Sequence, residues 1–216
     1  MVEGNIHGAF VYPDGSAEAV KQRLFGEFDP STNGLERIDD RRIQLADDER
    51  IQFHVEAPEY EPDAPEGATI TPPLSCLVVN RYEGGVAYAR GEGRDEYVDL
   101  FVTVYEHLPE RPAAGYLMGG DQSSGIRNGT AGYRHPVTAE SLGSDEFNDA
   151  AWVMVFTPPM VEQYGRDRLL GLSVRRVEEL GDGSIAVVAP GDPTQYTEWR
   201  DLAAQLDVPA AADRPY

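Results

Sequence analysis

The sequence predicts an α+β fold built on an antiparallel central sheet. Three observations carry this. Short β-prone runs separated by turn residues outnumber the helical runs. Two of the amphipathic helical stretches, Ala17 to Phe28 and Thr157 to about Leu170, fall between strands. The order strand, helix, strand, strand is read twice, over residues 5–55 and again over 150–190. The predicted architecture is therefore a β-meander flanked by two β-α-β-β-like halves. A β-sandwich or jelly roll with short helices is the rival, because strands are in the majority. All 216 residues are read as one domain, long enough to bury about 70% of the unfolded surface without a staple.

The elements follow in chain order. Asn5 to Tyr12 reads as a strand, and Asp14-Gly15 turns the chain. Ser16 can cap a helix over Ala17 to Phe28, where Val20, Leu24 and Phe28 form an apolar face. Asp29-Pro30 and Asn33-Gly34 end it. Strands are expected at Leu35 to Ile38, Arg42 to Leu45 and Arg50 to Val55; in the last, Ile51, Phe53 and Val55 alternate with Gln52 and His54. Residues 57–73 are dense in proline and carboxylates and read as an extended arm or linker.

The most apolar, most β-prone stretch is Leu74 to Leu108, read as three consecutive strands in the middle of the sheet. Cys76 to Val79 is apolar at successive positions, as in a strand covered on both faces. Glu83-Gly84-Gly85 signals a hairpin returning through Val86 to Ala89, and Gly91-Glu92-Gly93 a second turn. In the third strand Val98, Leu100, Val102 and Val104 line one face, while Tyr97, Phe101 and Tyr105 line the other. That aromatic row requires a cover, and it is a candidate interface face. Residues 109–141 form a long Gly-rich segment without clear periodicity, read as a functional loop or an arm.

The C-terminal part is more regular. Ala151 to Thr157 is a strand, and Thr157-Pro158 opens a helix running to about Leu170, weakened by Gly165 and closed by Gly171. Ser173 to Leu180 and Ser184 to Ala189 pair across Gly181-Asp182-Gly183. Asp192-Pro193-Thr194-Gln195 has the spacing of a capped helix start, followed by the apolar stripe Tyr196, Trp199, Leu202, Ala203 and Leu206, with Pro209 as the stop.

Charge sets the expected habitat. The chain carries 38 acidic and 18 basic residues, a net charge of -20; Lys21 is its one lysine. This resembles the surface chemistry of proteins from extreme halophiles. At molar ionic strength the Debye length is about 3 Å, so repulsion between carboxylates is screened while their hydration is kept. The same charge argues against nucleic acid and against anionic membranes as partners. No apolar run approaches the roughly 20 residues that a spanning helix needs, and the opening residues MVEGNIHGAF lack the pattern of a secretory signal.

The Gly-rich segment holds the concentrated polar chemistry. Asp121, Ser123, Ser124 and His135 supply the acid, hydroxyl and base that nucleophilic catalysis uses, yet GDQSSG is not a nucleophile elbow. Gly119, Gly120 and Gly125 with Arg127 offer backbone donors for an anion, without the spacing or lysine of a P-loop. Asp121, Gln122, Ser123, Ser124, Arg127 and His135 are thus the candidate ligand or interface loop. Asn128-Gly129-Thr130 is a glycosylation sequon. Acidic pairs such as Asp39-Asp40 and Asp145-Glu146 read as solvated surface that holds inorganic cations weakly. His7, His54 and His107 read as structural, and Cys76 as a small buried hydrophobe. No catalytic residue, metal site or cofactor is assigned.

The expected function is a non-enzymatic structural or assembly component of a multi-subunit complex in an extreme halophile, such as a haloarchaeal virus particle. Its partners would be other protein subunits, identical or different. It would act in the cytoplasm of a salt-accumulating cell or in a particle assembled there. The alternative is a hydrolase or small-ligand-binding protein using the Gly-rich loop at 115–135.

Overall fold

A computed structural model describes residues 6–13, 19–20, 22–23, 35–37, 42–45, 48–56, 75–81, 94–119, 136–191 and 200–208. Nine strands join one sheet: β1 (Ile6–Tyr12), β2 (Leu35–Arg37), β3 (Arg42–Leu45), β4 (Asp48–Glu56), β5 (Ser75–Arg81), β6 (Ala114–Gly119), β7 (Val153–Phe156), β8 (Arg176–Glu179) and β9 (Ile185–Val188). The described helices are α1 (Arg94–His107), α2 (Ala139–Gly143), α3 (Pro158–Tyr164), α4 (Arg166–Leu170) and α5 (Arg200–Leu206). The class is α+β with an antiparallel sheet. Its order is β2-β3-β4-β5-β1-β6-β7-β9-β8, with every neighbouring pair antiparallel. All nine described strands are hydrogen-bonded into one sheet.

β1 is the centre. β5 and β6 flank it, both antiparallel to it and therefore parallel to each other. The chain passes from β5 to β6 through α1, so this is a β-α-β crossover that bridges an intervening strand. Register then assigns the two faces, because residues opposite each other across a sheet share a face. Phe10 faces Gly115, Gly115 faces Val155, Val155 faces Ala186, and Ala186 faces Glu178. That row, with Arg176 two residues along β8 and Ser184 just before β9, looks toward α1. The opposite face carries Met154, Phe156 and Glu179, and receives α3 and α4. β7 and β9 are buried at every position, as strands covered on both faces must be.

Several expectations need correction. The third strand expected at Tyr97 to Tyr105 is α1. Alternation placed Asp99 and Thr103 on the same face as the three aromatics. A helix advances about 100° per residue, so it gathers Tyr97, Phe101 and Tyr105 at four-residue spacing and turns Asp95, Asp99 and Glu106 outward. The β-branched content of the stretch favours a strand; tertiary packing overrides it. The aromatic row is not an open interface: Tyr97, Phe101 and Tyr105 are each 0% exposed. The chain's own sheet covers them, with Phe10 stacked on Phe101 at 4.5 Å.

The Gly-rich segment is likewise not devoid of elements. It contains β6, paired on both sides, and most of α2. The single helix expected from Thr157 to Leu170 is two, α3 and α4, separated by Gly165 at φ +88°. Thr157 does not cap α3 with its side chain; its hydroxyl donates to the Ala113 carbonyl at 3.0 Å. Nor are the two halves alike in pairing. β7 lies beside β9, whereas β5 separates β1 from β4. The hairpin strand expected at Val86 to Ala89 and the capped helix start at Asp192 to Gln195 lie outside the described residues, as do the 57–73 arm and most of the helix expected from Ala17 to Phe28.

Candidate functional site

Asp121, Gln122, Ser123, Ser124, Arg127 and His135 lie outside the described residues, and so do Gly120 and Gly125. Gly119 ends β6, opposite Ile6. His107 Nδ1 pairs with the Thr103 carbonyl at 2.6 Å, one turn back in α1. Among the described residues, no group of three or more His, Cys, Asp or Glu side chains is placed to hold a metal ion, and no helix is long and apolar enough to cross a membrane.

Two polar constellations stand out among the described residues. The first closes the C-terminal end of α1 onto the β8–β9 turn. The Tyr105 hydroxyl donates to Asp182 Oδ2 at 3.0 Å and lies 2.7 Å from Ser184 Oγ. The phenol proton is committed to the carboxylate, so Ser184 donates to Tyr105. Arg111 pairs with Asp182 at 2.9 Å, donates to the Tyr105 carbonyl and sits 5.0 Å from the centre of the Tyr105 ring. Burial, then the Asp182 charge, pushes the Tyr105 phenol above its usual range, despite the bond from Ser184. Burial works against ionisation of Asp182 too. The bonds from Ser184 and Tyr105 and the Arg111 charge outweigh it, and the carboxyl is held below the usual carboxylate range.

A neutral phenol donates protons and does not remove them. Ser184 is fully buried and bonded to that phenol, and its N–H donates to Asp182 Oδ1 at 3.0 Å. The cluster is a clasp between helix and hairpin. Sequence reading missed it because its members are spread over some 80 positions; the Gly-Asp-Gly turn was visible, but not the tyrosine that uses it.

The second constellation is a polar cleft of about 540 Å³ on the opposite face, between α2, the α3–α4 pair and the end of α5. α2 is set by a reciprocal cap: Thr138 Oγ1 accepts from Ser141 N–H at 3.0 Å, and Ser141 Oγ accepts from Thr138 N–H at 2.9 Å. Asn148 and Asp149 N–H groups both donate to the Pro136 carbonyl, at 2.7 and 3.2 Å, which closes the segment on itself. α5 is bolted to α4 where Arg168 donates to the Gln205 carbonyl at 2.6 Å and Gln205 accepts from Ser173 N–H at 2.7 Å.

At the back of the cleft Phe147, Phe156 and Tyr164 pack edge to face, with centroids 5.0 and 5.1 Å apart. The Tyr164 hydroxyl accepts from Phe147 N–H at 3.0 Å; burial is the main reason its phenol is raised above the ordinary range. Glu146 accepts from Gln163 at 3.0 Å. The turns after α2 and α5 each place an aspartate at positive φ, Asp145 at 55° and Asp207 at 64°, where glycine is usual. Asp207 lines the cleft, and Asp145 lies between the lining residues Ser144 and Glu146. Comparison with protein-family models, curated proteins and solved structures finds no match to this chain.

Proposed function

We propose that this protein is a non-catalytic structural or assembly component adapted to molar salt, working with other subunits in an extreme halophile or in a virus particle formed there. One observation carries the salt adaptation. Each arginine with a described side chain is already held within the chain. Arg23 pairs with Glu110, Arg111 with Asp182, Arg166 with Glu179, Arg175 with Asp95, and Arg176 with both Asp99 and Glu178. Arg94 and Arg168 donate to the carbonyls of Gly191 and Gln205. Among the described residues the arginines are thus engaged within the chain, and the chain as a whole keeps a net charge of -20. Such a charge repels itself in dilute buffer and is tolerated where the Debye length is about 3 Å.

The assembly part rests on composition. The proline- and acid-rich composition of residues 57–73 suits ordering against a partner. The edge strand β8 (RVEE) is short and charged, which discourages indiscriminate strand pairing and favours specific contacts elsewhere. Light scattering and sedimentation in molar KCl test the proposal. A high-mass species is expected, and a clean monomer would overturn it.

A second reading, a small-ligand module, is favoured by the polar cleft rather than by the loop at 115–135. If instead the loop acts as a hydrolase site, Ser123→Ala, Ser124→Ala and His135→Ala variants lose activity with the fold intact.

A further inference from the structure

We infer that the cleft between α2, the α3–α4 pair and the end of α5 is a binding site for a neutral polyhydroxylated ligand of mono- or disaccharide size. Its volume of about 540 Å³ falls within the ~300–1,000 Å³ span of small-molecule sites. Its wall is mostly polar side chains, which suits a hydroxyl-rich ligand better than an apolar one.

The key group is Tyr164. It is 8% exposed, lines the cleft, and its oxygen already accepts the Phe147 N–H. Among the described residues its phenol proton meets no acceptor, so it is left to donate to a ligand oxygen. Beside it, Glu146 spends one carboxylate oxygen on Gln163 and keeps the other. Asp207 and Ser144 stand on the other walls. A donor surrounded by separate acceptors is the pattern that vicinal hydroxyls satisfy, each giving one proton and accepting another.

Charge separates the ligand classes. An anion would face Glu146 and Asp207 with Arg168 already bonded to the Gln205 carbonyl, in a chain of net charge -20. A metal cation would require the carboxylates to converge, and the described ones form no such group. An organic cation bound mainly by charge loses most of that attraction at molar salt. Direct hydrogen bonds to hydroxyls do not.

The backbone supports the assignment. Asp145 and Asp207 occupy left-handed positions that glycine fills more easily. They place polar side chains on and beside the rim, at a cost in stability.

The test is saturation-transfer NMR and calorimetry on the full chain in molar KCl, with glucose, maltose and trehalose as probes. Inorganic phosphate and spermidine serve as anionic and cationic controls. Saturable binding of at least one sugar is expected, with neither control competing. Tyr164→Phe should weaken it about ten-fold, the size of one lost ligand hydrogen bond. Should that variant misfold, Ser144→Ala combined with Asp207→Gly gives the same reading from the opposite walls. No saturable sugar binding, displacement of the sugar by spermidine or phosphate, or unchanged affinity in a folded Tyr164→Phe variant each overturns the inference. High mass in light scattering with no sugar binding would sink this inference while leaving the assembly proposal standing.

Discussion

Phe10 of β1 and Phe101 of α1 lie face to face, with ring centroids 4.5 Å apart and planes 11° from parallel. The contact exists because Gly115, opposite Phe10 on β6, has no side chain. A Cβ built there would stand 3.0 Å from Phe10 Cδ1, 3.1 Å from Phe10 Cε1 and 3.3 Å from Val155 Cβ. The glycine lets the phenylalanine ring lie across the neighbouring strand and meet the helix.

Two substitutions probe this contact. Gly115→Ala pushes a methyl group against a packed ring and is expected to destabilise by about 1–3 kcal/mol. Phe101→Ala empties a fully buried site and should cost about 3–5 kcal/mol. Denaturant titration in molar KCl measures both. A Gly115→Ala variant as stable as the parent would show that the ring has room to move.

The clasp at the end of α1 should be sensitive to single-atom changes. Tyr105→Phe removes the donor to Asp182 and the hydroxyl that bonds to the buried Ser184. A loss of about 1–3 kcal/mol is expected. Arg175→Ala, by contrast, breaks an exposed pair with Asp95 and should change stability by less than about 0.5 kcal/mol in molar salt.

The same clasp sets two pH limits. The Asp182 carboxyl is held low in the folded state. Its contribution is therefore complete above the unfolded value of about 4 and is lost as pH falls below it. Tyr105 and Tyr12 are raised in the folded state, both chiefly by burial. Their contribution is complete below the unfolded value of about 10 and is lost as pH rises beyond it. Thermal denaturation across pH should fall away at both ends, with Asp182→Asn blunting the acid limb and Tyr105→Phe the alkaline one.

At the cleft rim, stability and binding should move in opposite directions. Asp207→Gly relieves a left-handed aspartate and is expected to stabilise by about 0.5–1 kcal/mol. The same change removes a wall of the cleft, so sugar binding should weaken. Melting temperature and calorimetry on one sample read both effects.

Much of the fold was legible in local chemistry. β1, β3 and β7 and the β8–β9 hairpin follow from alternation or apolar runs bounded by turn residues, and these signals need no distant partner. One stop signal was legible as well: Gly171 caps the end of α4, where the helix was expected to close. The charge was plain from composition. By itself, then, the sequence determined a strand-rich α+β chain with a net charge of -20.

What it left open were the segments whose state depends on a neighbour. Residues 94–107 hold enough β-branched side chains for a strand and enough four-residue spacing for a helix; the β1 face that receives Phe101 decides between them. β6 carries two glycines in six residues, too weak a pattern to stand alone, and becomes a strand because β1 and β7 pair with both its edges. The cleft joins residues 138–148, 163–168 and 206–208, and the clasp joins Tyr105 to Asp182 and Ser184. Only tertiary structure could decide these, because hydrogen bonds and packing between distant segments leave no periodic mark in any one of them.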